Sequence, residues 1–130
     1  MPKSTNASGP TYILRVRDHF EAAHHLYAYR GHAEPVHGHN WTVEVVIETT
    51  KLHADGYGFD FMRVKRALAK LVKPFHHNHV NSVAPFDELT PTTEHLAGFF
   101  FEELSRRLPK APITEVTVWE GPDCSATYRA

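Results

Sequence analysis

The sequence predicts an α+β fold: a four-stranded antiparallel sheet with two helices packed on one face. Three observations carry this. Two early runs alternate apolar and polar residues as a half-buried strand does, two middle runs space apolar residues by three and four, and a further alternating pair closes the chain. The order reads β-β-α-α-β-β. With 130 residues, 42% of them hydrophobic, the chain has the size of one domain with a real core.

Residues 1–10 hold Lys, Ser, Thr, Asn, Gly and Pro without an apolar period, and are expected to form a flexible N-terminal arm before a single domain over 11–130. In the first run Tyr12, Leu14, Val16, Phe20, Ala22 and His24 share one parity, while Arg15, Arg17, Glu21 and His25 share the other. The second run opens on His37-Gly38-His39-Asn40-Trp41. Here His37, His39, Trp41, Val43, Val45 and Ile47 take one face, and Asn40, Thr42, Glu44 and Glu48 the opposite one. Asp55-Gly56 and Gly58 then mark a turn.

Asp60 is placed to cap a first helix, whose stripe of Phe61, Val64, Leu68, Leu71 and Val72 reaches about Lys73 before Pro74 stops it. The segment from Phe75 to Leu89 reads as irregular and holds His76, His77 and His79. Thr90-Pro91, a cap residue followed by proline, predicts the start of a second helix that runs to about Leu108 on a stripe of Leu96, Phe100 and Leu104. Phe99 and Phe101 widen that stripe, fitting either a broad core face or a subunit contact. Ile113 to Glu120 predicts a strand, Gly121-Pro122-Asp123 a turn, and Ser125 to Arg129 a short closing strand. Helices on one face leave the other sheet face bare, and oligomerisation is one way to cover it.

The parities have a chemical consequence. They select His24 over His25 as the inward histidine and place His37 and His39 together at the end of an apolar face. If the two runs pair, three imidazoles converge, a donor set that suits Zn2+ with its fourth position open for chemistry. Three inward histidines on adjacent strands are hard to satisfy otherwise, and neither terminus carries a histidine run to account for the 11 in the chain.

Composition narrows the partners. Formal net charge is −1 with His neutral, and Lys and Arg are dispersed, so neither nucleic acid nor an anionic membrane is favoured and a small molecule is expected. A single cysteine, Cys124, excludes an internal disulfide, and no apolar run is long enough for a signal peptide or membrane span. A reducing cytoplasm is the expected location.

Six motifs, in order on the predicted elements, resemble those of one family. They are Phe20-Glu21-Ala22-Ala23-His24, His37-Gly38-His39-Asn40-Trp41, Asp60-Phe61-Met62-Arg63-Val64-Lys65, His77 within Phe75 to Asn81, Pro91-Thr92-Thr93-Glu94 and Val118-Trp119-Glu120. The family is that of 6-pyruvoyltetrahydropterin synthase and 6-carboxytetrahydropterin synthase, whose members use the tunnelling fold (T-fold). The resemblance implies a zinc-dependent lyase acting on 7,8-dihydroneopterin triphosphate, with Zn2+ on His24, His37 and His39 and with His77 catalytic. It implies a homo-hexamer, a dimer of trimers, with each site at a subunit interface. A cation on the vicinal oxygens of the substrate acidifies their protons, so a modest base suffices.

The resemblance also implies a pterin anchor at Glu120, which shares parity with Val116 and Val118 and offers a carboxylate to adjacent N–H donors. Thr93 and Glu94 fall in the corresponding substrate-binding motif, although a carboxylate at Glu94 is equally favoured by the helix dipole. Residues for the triphosphate are not identified.

The chain departs from the family twice. Well-known members carry a catalytic cysteine shortly before His-Gly-His, whereas here the segment reads Glu34-Pro35-Val36-His37 and Glu34 is the nearest base. It fits a subgroup with glutamate at this point, whose members cleave the side chain between its first two carbons to give 6-hydroxymethyl-7,8-dihydropterin for folate synthesis. His76 stands where the family usually has aspartate, so His77 lacks its usual carboxylate neighbour. The expected function is therefore this lyase of the folate branch. Formation of 6-carboxytetrahydropterin for queuosine synthesis, 6-pyruvoyltetrahydropterin formation and non-catalytic pterin binding are the alternatives.

Overall fold

Regular alternation in the two early runs produces the longest pairing of the molecule. In the computed structural model, which describes residues 9–130, β1 (Tyr12–His24) and β2 (His37–Thr49) pair antiparallel from Tyr12↔Thr49 to His24↔His37. Residues 1–8 of the expected arm lie outside the described residues. The hairpin tip closes at Arg30 and Gly31, both at positive φ, with Tyr29 and His32 exchanging backbone hydrogen bonds across it. Two such residues give the turn a twist matching that of its strands.

The chain continues through α1 (Phe61–Val72), β3 (Asn78–His79), α2 (Thr93–Arg107), β4 (Ile113–Glu120) and β5 (Cys124–Tyr128). The sheet order is β3-β1-β2-β4-β5. It thus has five strands rather than four, because residues 78–79 add a two-residue strand parallel to Ala22 and Ala23. Two residues are too few to show an alternation.

The inward parity of β1, β2 and β4 meets both helices in a single core, in which Val43, Val45, Val64, Leu68, Leu96, Phe100, Val116 and Val118 are fully buried. Phe20 sits at its centre, with ring centroids 5.8 Å from Trp41 and 5.5 Å from Phe75. The opposite sheet face is polar. There Arg17 Nε donates to Glu44 at 2.6 Å, Thr117 meets Thr127, and Arg129 meets Glu115.

Asp60 caps α1 as expected, accepting the Met62 N–H at 2.9 Å. Phe61 lies beyond the core end of the stripe and is half exposed, so burial starts at Val64. The cap of α2 is Thr92, which accepts the His95 N–H, and not Thr90. Thr90 is engaged elsewhere, its hydroxyl accepting the Tyr27 N–H and its carbonyl the Thr92 N–H. Phe99 and Phe101 pack inside the chain, on Phe75 and Phe86 and on Tyr128, which makes them part of a broad core face. Among the described residues no helix is long and apolar enough to cross a membrane.

Candidate metal and substrate site

The register of β1 on β2 puts His24 directly opposite His37, with His39 opposite Ala22. The three histidines chosen by parity therefore converge, their candidate ligand atoms all within 4.8 Å of one another. His24 is 2% exposed, floored by Trp41, whose ring meets it edge-on at 4.8 Å.

Two backbone carbonyls fix the rings. His24 Nδ1 donates to the Pro91 carbonyl and His37 Nδ1 to the Pro35 carbonyl, each at 2.9 Å. A carbonyl only accepts, so the proton of each neutral ring is on Nδ1 and Nε2 carries a lone pair. The Nε2 atoms of His24 and His37 then face each other at 3.1 Å with no proton to share. His39 Nε2, the third, is buried without a hydrogen-bond partner. Ligand nitrogens around a tetrahedral zinc, at Zn–N of about 2.0–2.1 Å, stand about 3.3 Å apart. The residues fit a metal ion. Burial, the largest effect, lowers the His24 pKa against the raising effects of the Pro91 carbonyl and Glu120, which keeps the ring in its coordinating form.

Glu120, at the end of β4 beside Trp41, stands at the same centre. Its carboxylate lies 3.4 Å from His39 Nε2 and 3.5 Å from His24 Nε2, and it accepts the Thr93 hydroxyl at 3.2 Å. Thr93 and Glu120 thus form one polar edge next to the imidazoles. Glu94, one residue on, is exposed on the first turn of α2, where the helix dipole also favours a carboxylate. Glu34 approaches from the hairpin loop. It accepts the Leu26 N–H at 3.0 Å and stands 3.9 Å from His37 Nδ1, the side of that ring turned away from His24.

His77 is not beside this cluster. Its Nε2 lies 3.5 Å from Glu21 Oε1, and Glu21 has the parity opposite to His24, so the ring turns toward the other face of β1. His39 and His77 border a common cavity of about 660 Å3, with Ala22, Ala23, Gly38 and Asn40 among its walls. His76 stacks on His77 at 3.9 Å and accepts the Glu21 N–H through Nδ1.

Sequence reasoning missed the carbonyls of Pro35 and Pro91, because a backbone acceptor has no residue signature. It also read Glu21 only as outward polarity. The weak signal available was an acid on the same strand as a ligand histidine.

Fold and site together define a T-fold protein with a three-histidine cluster that could hold a metal ion, in which a carboxylate stands beside the imidazoles. The chain belongs to the 6-pyruvoyl tetrahydropterin synthase family, whose model matches residues 13–130. It is 31% identical over 106 residues to a dihydroneopterin monophosphate aldolase of Pyrococcus furiosus, covering 81% of this chain and 86% of that one. It is 28% identical over 119 residues to a 6-carboxy-5,6,7,8-tetrahydropterin synthase of Aquifex aeolicus, covering 72% and 74%. The solved 6-pyruvoyl tetrahydropterin synthase of Caenorhabditis elegans superposes with a TM-score of 0.82 at 22% identity, over 94% of this chain and 97% of that one. Membership places the chain among enzymes of pterin metabolism.

Proposed function

We propose that the protein is a zinc-dependent lyase that cleaves the side chain of a 7,8-dihydroneopterin phosphate between its first two carbons, releasing 6-hydroxymethyl-7,8-dihydropterin for the folate branch. The observation that carries this reading is a carboxylate, Glu34, where the chain reaches the metal histidines, 3.9 Å from His37. Zn2+ bound by His24, His37 and His39 would polarise the side-chain hydroxyls of the substrate. Glu120, supported by Thr93, accepts the N–H edge of the pterin.

Glu34 takes the proton of the second-carbon hydroxyl. That oxygen becomes a carbonyl as the bond to the first carbon breaks, and the electron pair passes into the pterin ring. The first carbon then takes up a proton, which His77 supplies. A base for a hydroxyl proton suits a carboxylate better than removal of a carbon-bound proton does. A Plasmodium vivax 6-pyruvoyltetrahydropterin synthase of the same fold, solved as a mutant of its catalytic residue, has a glutamate in that role, so the fold accommodates one.

The phosphate count is the open variable of this reading. The triphosphate is the substrate the motifs imply, and the Pyrococcus furiosus relative is named for the monophosphate. Assembly as a hexamer of two trimers would bring the His77 of one chain to the metal of another.

The test is incubation of the zinc-loaded protein with 7,8-dihydroneopterin triphosphate and, separately, monophosphate, with products identified by chromatography and mass. The expected result is 6-hydroxymethyl-7,8-dihydropterin from at least one of them, with turnover reduced about 10²-fold or more in Glu34→Ala at unchanged zinc content. Formation of 6-carboxy- or 6-pyruvoyl-tetrahydropterin instead would overturn the glutamate argument, and tight binding with no product would leave a pterin-binding protein.

A further inference from the structure

We propose that Glu21 is the positioning residue of His77: its carboxylate holds the Nε2–H of the imidazole and leaves Nδ1 as the nitrogen that exchanges a proton with substrate. The proton step rests on the function proposed above, whereas the tie between the two residues does not.

Glu21 is bound to the histidine segment in three ways. Its carbonyl accepts the His77 N–H at 2.6 Å, its N–H donates to His76 Nδ1 at 3.1 Å, and its carboxylate reaches His77 Nε2 at 3.5 Å. The two backbone ties fix the relative position of β1 and residues 76–77, so only side-chain torsions remain to be set. They also hold His77 at φ 57°, a left-handed conformation that is unfavourable for a non-glycine residue and persists only when its surroundings impose it.

Among the described residues no other group near His77 can take the part of Glu21. Facing it are His76 and His79 from its own segment, Glu21 from β1, and His39 and Asn40 across the cavity from β2. Of these only Glu21 is an anion. His76 accepts a hydrogen bond at Nδ1, so its own proton is on Nε2 and the ring is neutral; its face, not a charge, lies against His77. An imidazolium formed at His77 has one counter-charge in reach, and that charge also dictates the tautomer of the neutral ring.

In the lyase this gives His77 a defined direction. Protonated at both nitrogens, it delivers the Nδ1 proton to the first side-chain carbon after cleavage and reverts to the Nε2–H form that Glu21 holds. The proton lost to Glu34 from the hydroxyl balances the one gained by carbon. In the single chain His77 and Glu21 are 69% and 64% exposed, so water weakens the pair.

The experiment is side-chain 15N NMR of the zinc-loaded protein across pH, with His77 assigned by its loss in His77→Ala, compared among wild type, Glu21→Gln and Glu21→Asp. The expected result is the Nε2–H tautomer for neutral His77 in wild type and in Glu21→Asp, and a mixture of the two tautomers in Glu21→Gln. A neutral His77 that carries its proton on Nδ1 in wild type, or whose tautomer is the same in Glu21→Gln as in wild type, overturns the proposal. Turnover is read in parallel: kcat falls about tenfold in Glu21→Gln with KM unchanged and recovers in Glu21→Asp. A wild type without turnover but with the expected NMR result sinks the lyase reading and leaves the Glu21–His77 tie standing.

Discussion

At His24 a single backbone contact and burial decide the state of a ring. The Pro91 carbonyl takes the Nδ1 proton, Trp41 closes the floor, and the nitrogen left over points at two others of the same kind. In the metal-stripped protein this costs stability in acid. Burial lowers the His24 pKa, so below the ordinary value of 6.5 the unfolded chain binds a proton that the folded chain refuses. Because the unfolded state then holds more protons, stability falls as pH drops through 6.5 toward the folded value, and is fully present above it. The thermal midpoint of the metal-stripped protein is expected to fall between about pH 7.5 and about pH 5.5, with a shallower slope in His24→Asn. Scanning calorimetry across that range checks it; a midpoint that is flat or rises toward acid refutes it. Zinc should raise the midpoint most at the upper end, since protons compete for the same nitrogens.

Among the elements, the first turn of α2 carries more than a helix start. Pro91 gives its carbonyl to His24, Thr92 caps the helix, and Thr93 reaches Glu120, so three successive residues tie the helix start to the histidine cluster and its neighbouring carboxylate. Thr92→Ala is expected to lower stability by about 1 kcal/mol, as loss of a helix cap does, while zinc content stays at wild type. Thr90→Ala should cost less, since its hydroxyl holds only the exposed Tyr27 N–H. Urea denaturation at fixed protein concentration compares the two, and a larger loss at Thr90 would restore the sequence-based assignment of the cap. That misplacement shows where the sequence is mute: two threonines flank one proline, and the contact that occupies Thr90, the N–H of the distant Tyr27, leaves no pattern in the sequence. The period-two parity of β1 and β2, by contrast, needs no tertiary information, which is why His24, His37 and His39 were legible. So was Glu120, placed by the same parity on β4. The two-residue β3, the carbonyls of Pro35 and Pro91, and the turn of Glu21 toward His77 leave no pattern, because each depends on how distant segments meet.

Across the whole molecule the groups of the proposed chemistry divide by face. His24, His37, His39 and Glu120 stand on the helix-covered side of the sheet, and Glu34 beside them in the loop between β1 and β2. His77 turns with Glu21 to the other side, at the edge where β3 pairs only with Ala22 and Ala23. Among the described residues an apolar groove lies uncovered, in which Ile13, Tyr57, Phe61 and Met62 are each 45–53% exposed. One chain therefore presents half of the proposed chemistry on each side of its sheet, and a second copy can bring the halves together, as a closed symmetric assembly repeats one contact at every site. If Glu34 and His77 at each site come from different chains, two inactive variants should complement each other. Glu34→Ala and His77→Ala, co-expressed in equal amounts, are expected to regain about a quarter of wild-type turnover, since about one site in four then draws both intact residues. Each variant alone remains inactive, and zinc content is at wild type in all three preparations. Mixed assemblies that stay as inactive as either parent, with mixing confirmed by native mass spectrometry, would mean that His77 serves the metal of its own chain across the cavity it shares with His39.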